Sequence, residues 1–496
     1  MSPLVASILV RADEGDEERG RDAGGARAAA VTLAGQWTKY ALQLASLVVL
    51  ARLLTPTDFG LIAMTTAVIG IANVLGDFGL SLAAIQARQL SQGQRSNLFW
   101  LNGAVGTITA LAFVPIAPLL ASFYNDPRLT LLTIALGSSF VVAGFTTQHR
   151  ADLTRRTRFT SLALSDVLGQ AAAFATAVLS AWAGAGYWAL ALQQIVFAVV
   201  SGVLVVSWSR WRPSRPSRAE PMRALLSYGG STFLTQVVNY ISANADSVLL
   251  GQRFGATVLG FYNRAFQLVS LPVQQLASPL TRIALPLLSR ITEPAELTRV
   301  ATKIHAALLW ALLSILSVLA AMSEQVTSVV LGPGWSAAAD LLPILAVGGA
   351  FQVLSYVYYW VFLATARTGL LFVSELSGRL VMIAGMIVFI EDGPAAVATA
   401  SAAGTALIWA VGSFLTVKRT GIDPRPLLLT SARIVSAVGS GFLLVRGCML
   451  FGLDIDGWLG LVVYLACWLL GAGSIACAQR ASRLELQGVV VLLRRR

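Results

Sequence analysis

Apolar residues run along this chain in some fourteen long stretches separated by short polar segments. Each stretch is about 20 residues, the length a helix needs to cross a hydrocarbon core roughly 30 Å thick. They fall near 29–50, 59–85, 98–121, 129–148, 161–182, 187–208, 227–250, 258–288, 303–323, 337–364, 368–390, 394–417, 427–447 and 457–478. In lipid a spanning segment must satisfy its own backbone hydrogen bonds, which favours helices. The pattern therefore predicts an all-α integral membrane protein with about 14 transmembrane helices.

Four of these spans carry polar residues at helical spacing. Span 1 has Gln36, Lys39, Gln43 and Ser46, and span 7 has Thr232, Thr235, Asn239, Ser242 and Asp246. Span 2 has Thr66, Gly70, Asn73 and Asp77. Span 8 has Asn263, Gln267, Ser270, Gln274, Ser278 and Thr281, with Arg264 and Arg282 beside the stripe. A polar face cannot look at lipid without cost, so each stripe must meet another stripe or water. A hydrated cavity follows.

The stripes are also in register. A shift of 200 residues lays span 1 on span 7 and matches Tyr40/Tyr240, Ala45/Ala245, Val48/Val248, Leu50/Leu250, Thr57/Thr257 and Gly60/Gly260. Six spans separate the copies, so both run in the same direction. The expected architecture is two six-helix lobes related as parallel repeats, plus a C-terminal helix pair. The boundaries are a disordered tail at 1–28, an N-lobe at 29–208 and a basic linker at 209–226. A C-lobe at 227–417, the last two spans at 427–478 and a basic tail at 479–496 complete the chain. Pro272, Pro279 and Pro286 in span 8 are candidate kinks.

Composition sharpens this picture. Only 12% of residues are charged, against about 25% in a soluble domain. The net charge of +12 comes largely from short clusters between alternate pairs of spans, such as Arg150, Arg155, Arg156 and Arg158, then Arg210, Arg212, Arg215, Arg218 and Arg223. The opposite loops hold only Arg52, Arg128, Arg253 and Arg446. This is the positive-inside bias, and it places both termini in the cytoplasm. The charge is thus topogenic and implies no nucleic-acid partner. The chain opens without a cleavable signal peptide. Cys448, Cys467 and Cys477 show no metal or CxxC spacing, and His149 and His305 are far apart. No nucleotide or nucleophile motif stands in a supporting context. No catalytic residue, metal or cofactor is expected.

Charges inside spans need a partner or water. Lys39 and Arg264 are candidate binders of an anionic substrate. Gln36, Gln43, Asn73, Asn239, Gln267 and Gln274 would line the cavity beside them. Asp77 and Asp246 are candidates for charge balance or ion coupling. So are Glu375 and Arg379, whose spacing also allows mutual neutralisation.

Three segments carry a resemblance: Ala51–Met64 (ARLLTPTDFGLIAM) running on to Gly76–Gln86, then Gly260–Ile291, then Leu331–Leu345 (LGPGWSAAADLLPIL). They resemble the polysaccharide transport family of the multidrug/oligosaccharidyl-lipid/polysaccharide flippase superfamily, most closely its colanic-acid-exporter type. The resemblance implies two six-helix lobes and two further helices around a central cavity. It also implies a flippase of the bacterial inner membrane, working as a monomer by alternating access. Its substrate would be an undecaprenyl-diphosphate-linked oligosaccharide, turned from the cytoplasmic to the periplasmic leaflet of the bilayer for surface polysaccharide. A polysaccharide polymerase and export machinery are the implied partners, and the cations would balance the diphosphate.

Two alternatives stay open on the residues alone. A cation-coupled small-molecule antiporter would show a compact acid cluster in one lobe, whereas the acids here are scattered. A membrane-embedded polymerase or ligase would carry a large outer loop, whereas the longest, Met322–Ala337, holds one acid, Glu324, and no His. The charge bias yields a direct expectation for topology. Single cysteines at Ser214 and Thr292 should react with a membrane-impermeant maleimide only from the cytoplasmic side, and one at Ser336 only from outside. The reverse pattern would invert the assignment.

Overall fold

A computed structural model of the chain describes residues 18–77, 91–217, 220, 222–419, 422–452, 455 and 457–479. Statements about side chains leave out 18–33, 73–77, 223–239, 241 and 417–419 as well. The helices in order are α1 (Glu18–Leu53), α2 (Pro56–Asp77), α3 (Gln92–Tyr124), α4 (Arg128–Gly137), α5 (Ser139–Arg155), α6 (Phe159–Trp182), α7 (Tyr187–Ser209) and α8 (Arg223–Leu288). They continue with α9 (Pro294–Ala321), α10 (Ser323–Val330), α11 (Ser336–Ala364), α12 (Thr368–Val388), α13 (Pro394–Arg419), α14 (Arg425–Leu450) and α15 (Gly457–Ala478). No strand occurs among the described residues. Taking α4 with α5 as one crossing, dividing α8 at its break and setting aside the short α10 returns the fourteen expected crossings.

Ten of the described helices are long and apolar enough to cross a membrane by composition. α1, α2 and α8 are not among them. α2 is apolar over Pro56–Ala72, a shorter stretch. Two expectations about local structure change. α1 begins at Glu18, inside the segment expected to be a disordered tail. The backbone of α8 breaks at Gly255, with φ 80° and ψ −177°. Pro272, Pro279 and Pro286 lie within continuing helix. Only glycine enters that backbone region cheaply, so Gly255 separates the two spans.

Contacts divide the chain into two compact units, one from Glu14 to Gly260 and one from Phe261 onward. In the first, α6 and α7 form a tightly packed hairpin, α1 lies along α6, and α5 packs between α3 and α7. Small residues allow the close approaches. A Cβ placed on Gly106 would lie 2.3 Å from the Phe140 carbonyl, and one on Gly144 would lie 2.5 Å from that of Asn102. Such contacts let helices pack by dispersion where lipid offers no hydrophobic gain.

The segment after α7 is a strap bound to the start of α3. Asn97 Nδ2 donates to the Ser217 carbonyl at 2.7 Å and the Ser217 amide returns a bond to Asn97 Oδ1 at 2.8 Å. The Ser214 amide donates to Ser96 Oγ at 3.0 Å, and Trp100 Nε1 donates to the Ser214 carbonyl at 2.9 Å. Trp211 is buried, with Arg95 over its ring at 4.9 Å. Arg95 in turn pairs with the buried Asp152, which also accepts from Arg156 Nε at 3.0 Å. The basic linker expected from composition is therefore ordered along 211–217.

The second unit builds on α9, α11 and α13. Trp335 is among its largest buried side chains, with Phe261 edge-on at 5.9 Å. Gly332, at φ 104°, ends α10 and turns the LGPGW motif so that Trp335 can enter. The last two spans dock through polar bonds as well as apolar surface. His305 Nε2 and Ser431 Oγ share a hydrogen bond at 3.0 Å, Trp468 Nε1 donates to Ser317 Oγ at 3.0 Å, and Ser440 Oγ donates to the Gly471 carbonyl at 2.9 Å. The outer faces of α12 and α15, with Phe372, Leu380 and Ile387 on one and Trp458, Leu465 and Leu469 on the other, are exposed. Apolar surface of that kind suits lipid.

The first unit also joins repeat mates to each other. Thr55 caps α2: its amide and hydroxyl donate to Asp58 Oδ2 at 2.9 and 2.7 Å, with Pro56 at the first helical position, a strong start signal. The start of α2 then meets the start of the second span of α8. Thr57 Oγ1 and Thr257 Oγ1 are 2.8 Å apart. A Cβ on Gly60 would lie 1.7 Å from the Ala256 carbonyl oxygen, and one on Gly260 would lie 1.9 Å from that of Pro56. The contact is self-complementary: each element of one copy meets its equivalent in the other, as at an isologous interface. A chain with Cys448, Cys467 and Cys477 replaced by Ala, carrying Thr57→Cys and Thr257→Cys, should form a disulfide on mild oxidation, read as loss of two maleimide-PEG gel shifts. Adding Gly60→Leu should suppress that disulfide, because the new side chain has backbone in its place. An unchanged disulfide yield in the chain that also carries Gly60→Leu would refute the contact.

Candidate functional site

The polar stripe of α1 is the starting point. Its residues turn into the first unit, where Gln36, Lys39 and Ser46 each meet a side chain from another element or from the next turn. Ser46, buried, accepts from Gln193 Nε2 of α7 at 2.6 Å. Gln36 Nε2 donates to Tyr40 OH at 2.5 Å. Lys39 Nζ lies 3.6 Å from Asp166 Oδ2 of α6 and 5.3 Å from the centre of the Phe197 ring of α7. Arg150 of α5 shares the same carboxylate, its Nη2 at 2.5 Å from Asp166 Oδ1. At an effective dielectric of about 20, charges at the Lys39–Asp166 separation attract by about 5 kcal/mol before desolvation is charged against them. The ring face adds a cation–π term of about 0.5–2 kcal/mol. Lys39 is thus held at a defined place.

Beside it lies a cavity of about 420 Å³, within the range of about 300–1,000 Å³ for ligand pockets. Its walls come from α1, α2, α4, α5, α6 and α7, all parts of the first unit. The polar lining is Lys39, Gln43, Thr66, Ser139, Gln170, Gln193 and Gln194, and Phe140 and Phe197 supply aromatic surface. Gly70 is on the wall because α8 crosses there. Tyr240 OH donates to the Thr66 carbonyl at 2.9 Å, and a Cβ on Gly70 would lie 1.7 Å from that hydroxyl. Repeat mates again differ in partner: Tyr40 receives Gln36 and Tyr240 reaches α2.

The remaining candidates fall elsewhere. Asp246 is buried and accepts from the Ser247 amide at 2.7 Å. Arg264 and Gln267 are half-buried and Gln274 is exposed, all on the part of α8 belonging to the second unit. Glu375 and Arg379 pair with each other across one turn of α12, Oε2 to Nη2 at 3.0 Å. The side chains of Asn73, Asp77 and Asn239 lie outside the described residues. Lys39 and Gln43 are therefore brought together at one cavity. Gln170, Gln193, Gln194 and Phe197 join them on its wall, and Asp166 with Arg150 stands behind Lys39, although the stripes do not mark them. A signal exists for some: Asp166 and Gln170 are four apart on α6, as are Gln193 and Phe197 on α7, which puts each pair on one helix face.

Metal chemistry has no foothold among the described residues, where no group of three or more His, Cys, Asp or Glu side chains could hold an ion. His149 Nδ1 is 2.6 Å from Ser209 Oγ, and His305 pairs with Ser431, so each histidine is engaged in helix packing.

Comparison with known proteins agrees with this architecture. The model of the family described as "Polysaccharide biosynthesis protein" matches residues 49–340. The chain is 28% identical over 374 residues to the teichuronic acid biosynthesis protein TuaB of Bacillus subtilis (strain 168), covering 75% of this chain and 76% of that one. It is 26% identical to the lipopolysaccharide biosynthesis protein WzxC of Escherichia coli (strain K12), covering 67% and 68%. It is also 26% identical to the succinoglycan biosynthesis transport protein ExoT of Rhizobium meliloti (strain 1021), covering 62% and 63%. Among solved structures it is similar in fold to the lipid II flippase MurJ in an inward closed conformation, with a TM-score of 0.69 and 14% identity over 90% of this chain and 97% of that one. An inward-facing multidrug resistance MATE transporter of the MOP superfamily follows with a TM-score of 0.60 and 14% identity, covering 82% and 98%. The chain belongs to the polysaccharide biosynthesis protein family.

Proposed function

We propose that this protein is a flippase that turns polyprenyl-diphosphate-linked oligosaccharide repeat units from the cytoplasmic to the periplasmic leaflet, for surface polysaccharide, by alternating access. The observation that carries the reading is the polar, Lys39-bearing cavity enclosed by helices whose other faces are apolar. A lipid-linked sugar suits such an arrangement: its head group must lose water only where amides, hydroxyls and charges replace it, while its prenyl chain stays in hydrocarbon.

The relatives' names support the class of cargo, since each is tied to a surface polysaccharide. The fold shared with MurJ supports the mode of action. No step requires a covalent intermediate, so the protein acts as a transporter rather than an enzyme. It sits in the inner membrane with both termini in the cytoplasm, on the charge bias of its loops. Arg264 is assigned to the diphosphate, because a guanidinium can hold two phosphate oxygens with parallel hydrogen bonds and a lysine cannot. Lys39 sets the charge at the cavity of the first unit. A polysaccharide polymerase would receive the flipped unit.

The test is complementation of a transport-null strain, with surface polysaccharide quantified and membrane levels of the protein checked by blot. Lys39→Ala and Arg264→Ala should each lower flux about tenfold, the effect of losing roughly 1.4 kcal/mol of stabilisation in the rate-limiting step, at normal protein level. Arg264→Lys should restore only part of the loss. Full activity of both alanine variants at normal level would show that these charges serve the fold and that the diphosphate is held elsewhere.

A further inference from the structure

The cavity of the first unit is described above as part of a path for a head group that has two chemically different parts. Its lining tells them apart. A diphosphate carries multiple negative charges and is bound by clustered cations or by helix N-termini. Among the described lining residues Lys39 is the one charged side chain. Asp166 stands 3.6 Å from it, and the same carboxylate also holds Arg150. The three groups together leave one positive charge, against the two or more negative charges of a diphosphate, and a diphosphate here would also sit near the Asp166 carboxylate.

The rest of the lining is made of amides. Gln43, Gln170, Gln193 and Gln194 converge from α1, α6 and α7. Each primary amide offers two N–H donors and an acceptor oxygen. A sugar ring presents the matching set, because every hydroxyl both donates and accepts. Gln170 is buried, so its amide is already out of bulk water, and Gln193 is steadied by its bond to Ser46. The Phe140 and Phe197 rings give the apolar faces against which the C–H side of a pyranose can lie. A volume of about 420 Å³ suits a small part of an oligosaccharide rather than the whole of one.

We infer that the cavity enclosed by α1, α2, α4, α5, α6 and α7 is the sugar subsite, taking an uncharged part of the glycan through Gln43, Gln170, Gln193 and Gln194, with Lys39 held by Asp166 as a positioning residue. This rests on the flippase reading and adds which half of the head group enters which cavity. It follows that glycan selectivity resides in the amides. A buried site built to hydrogen-bond a hydroxyl discriminates strongly against a ligand that lacks it.

The experiment uses the full chain in lipid nanodiscs, with Cys448, Cys467 and Cys477 replaced by Ala and a single reporter cysteine introduced on the cavity wall as Ala198→Cys. Two lipids are compared: undecaprenyl diphosphate without sugar, and the undecaprenyl-diphosphate-linked repeat unit extracted from polymerase-deficient cells of the native host. The saccharide-bearing lipid should slow N-ethylmaleimide labelling about tenfold at a concentration about ten times its Kd, by simple occupancy. The sugar-free lipid should leave the rate unchanged. Adding Gln193→Leu should abolish the protection while leaving the unliganded labelling rate the same, which shows that the variant is folded. Equal protection by the sugar-free lipid would place the diphosphate in this cavity and overturn the inference, leaving the flippase reading standing. Retention of the saccharide-bearing lipid by the nanodisc without protection of the reporter would likewise overturn it. If neither lipid is retained, as read by native mass spectrometry, the flippase reading itself fails.

Discussion

Hydrocarbon offers a polar side chain no water, and everything distinctive about this protein follows from how it meets that constraint. Ten of its described helices satisfy it chiefly by being apolar over a membrane-spanning length. The stripe-bearing helices satisfy it by turning polar groups toward one another. Along α1 each stripe residue described above has a companion or a cavity: Ser46 meets Gln193, Lys39 meets Asp166, and Gln43 faces the open space between helices. The cavity is thus the necessary counterpart of a stripe rather than an accident of loose packing. A helix that carries four polar residues on one face cannot be buried against an apolar neighbour without leaving unmet hydrogen bonds.

The same constraint governs the charges. An isolated ammonium at mid-membrane depth costs a few kcal/mol on insertion scales, and here the carboxylate of Asp166 and the Phe197 ring offset part of that cost. Glu375 and Arg379 use the cheapest remedy, pairing across one helical turn. Histidine is handled by hydrogen bonds to serines, which lets His305 and Ser431 join the final helix pair to α9. Polar groups in these spans hold helices to one another as well as lining space.

Much of this is legible in the residues. Length and hydropathy mark the crossings, the Thr55–Asp58 capping signal marks the start of α2, and the stripe of α1 points to Lys39 and Gln43. What periodicity cannot report is which faces meet. Gln193 and Phe197 sit in a strongly apolar helix, where isolated polar residues do not form a stripe, and Asp166 reads from sequence as a residue near a span end. Their importance arises only when α6 and α7 close against α1, at separations of more than a hundred residues. The gap between the seventh and eighth spans is legible as the end of one apolar stretch and the start of the next, and Gly255 marks it with a backbone conformation that favours glycine. The strap at 211–217 reads as a charged linker from composition alone, whereas Asn97, Ser96 and Trp211 bind it in place.

The reciprocal seating of Gly60 and Gly260 carries a consequence for how the two halves of the gene can change. Each glycine faces a carbonyl from the opposite copy, at Ala256 and at Pro56. A backbone carbonyl cannot be mutated away. Enlarging either glycine therefore cannot be compensated by trimming a side chain across the contact, and the only remedy is to move a whole helix. That helix end is held by the Thr55 cap on one side and follows Gly255 on the other. Neither glycine can therefore be enlarged on its own. At positions 57 and 60 and their mates 257 and 260, the geometry of the contact itself demands the small residues found there.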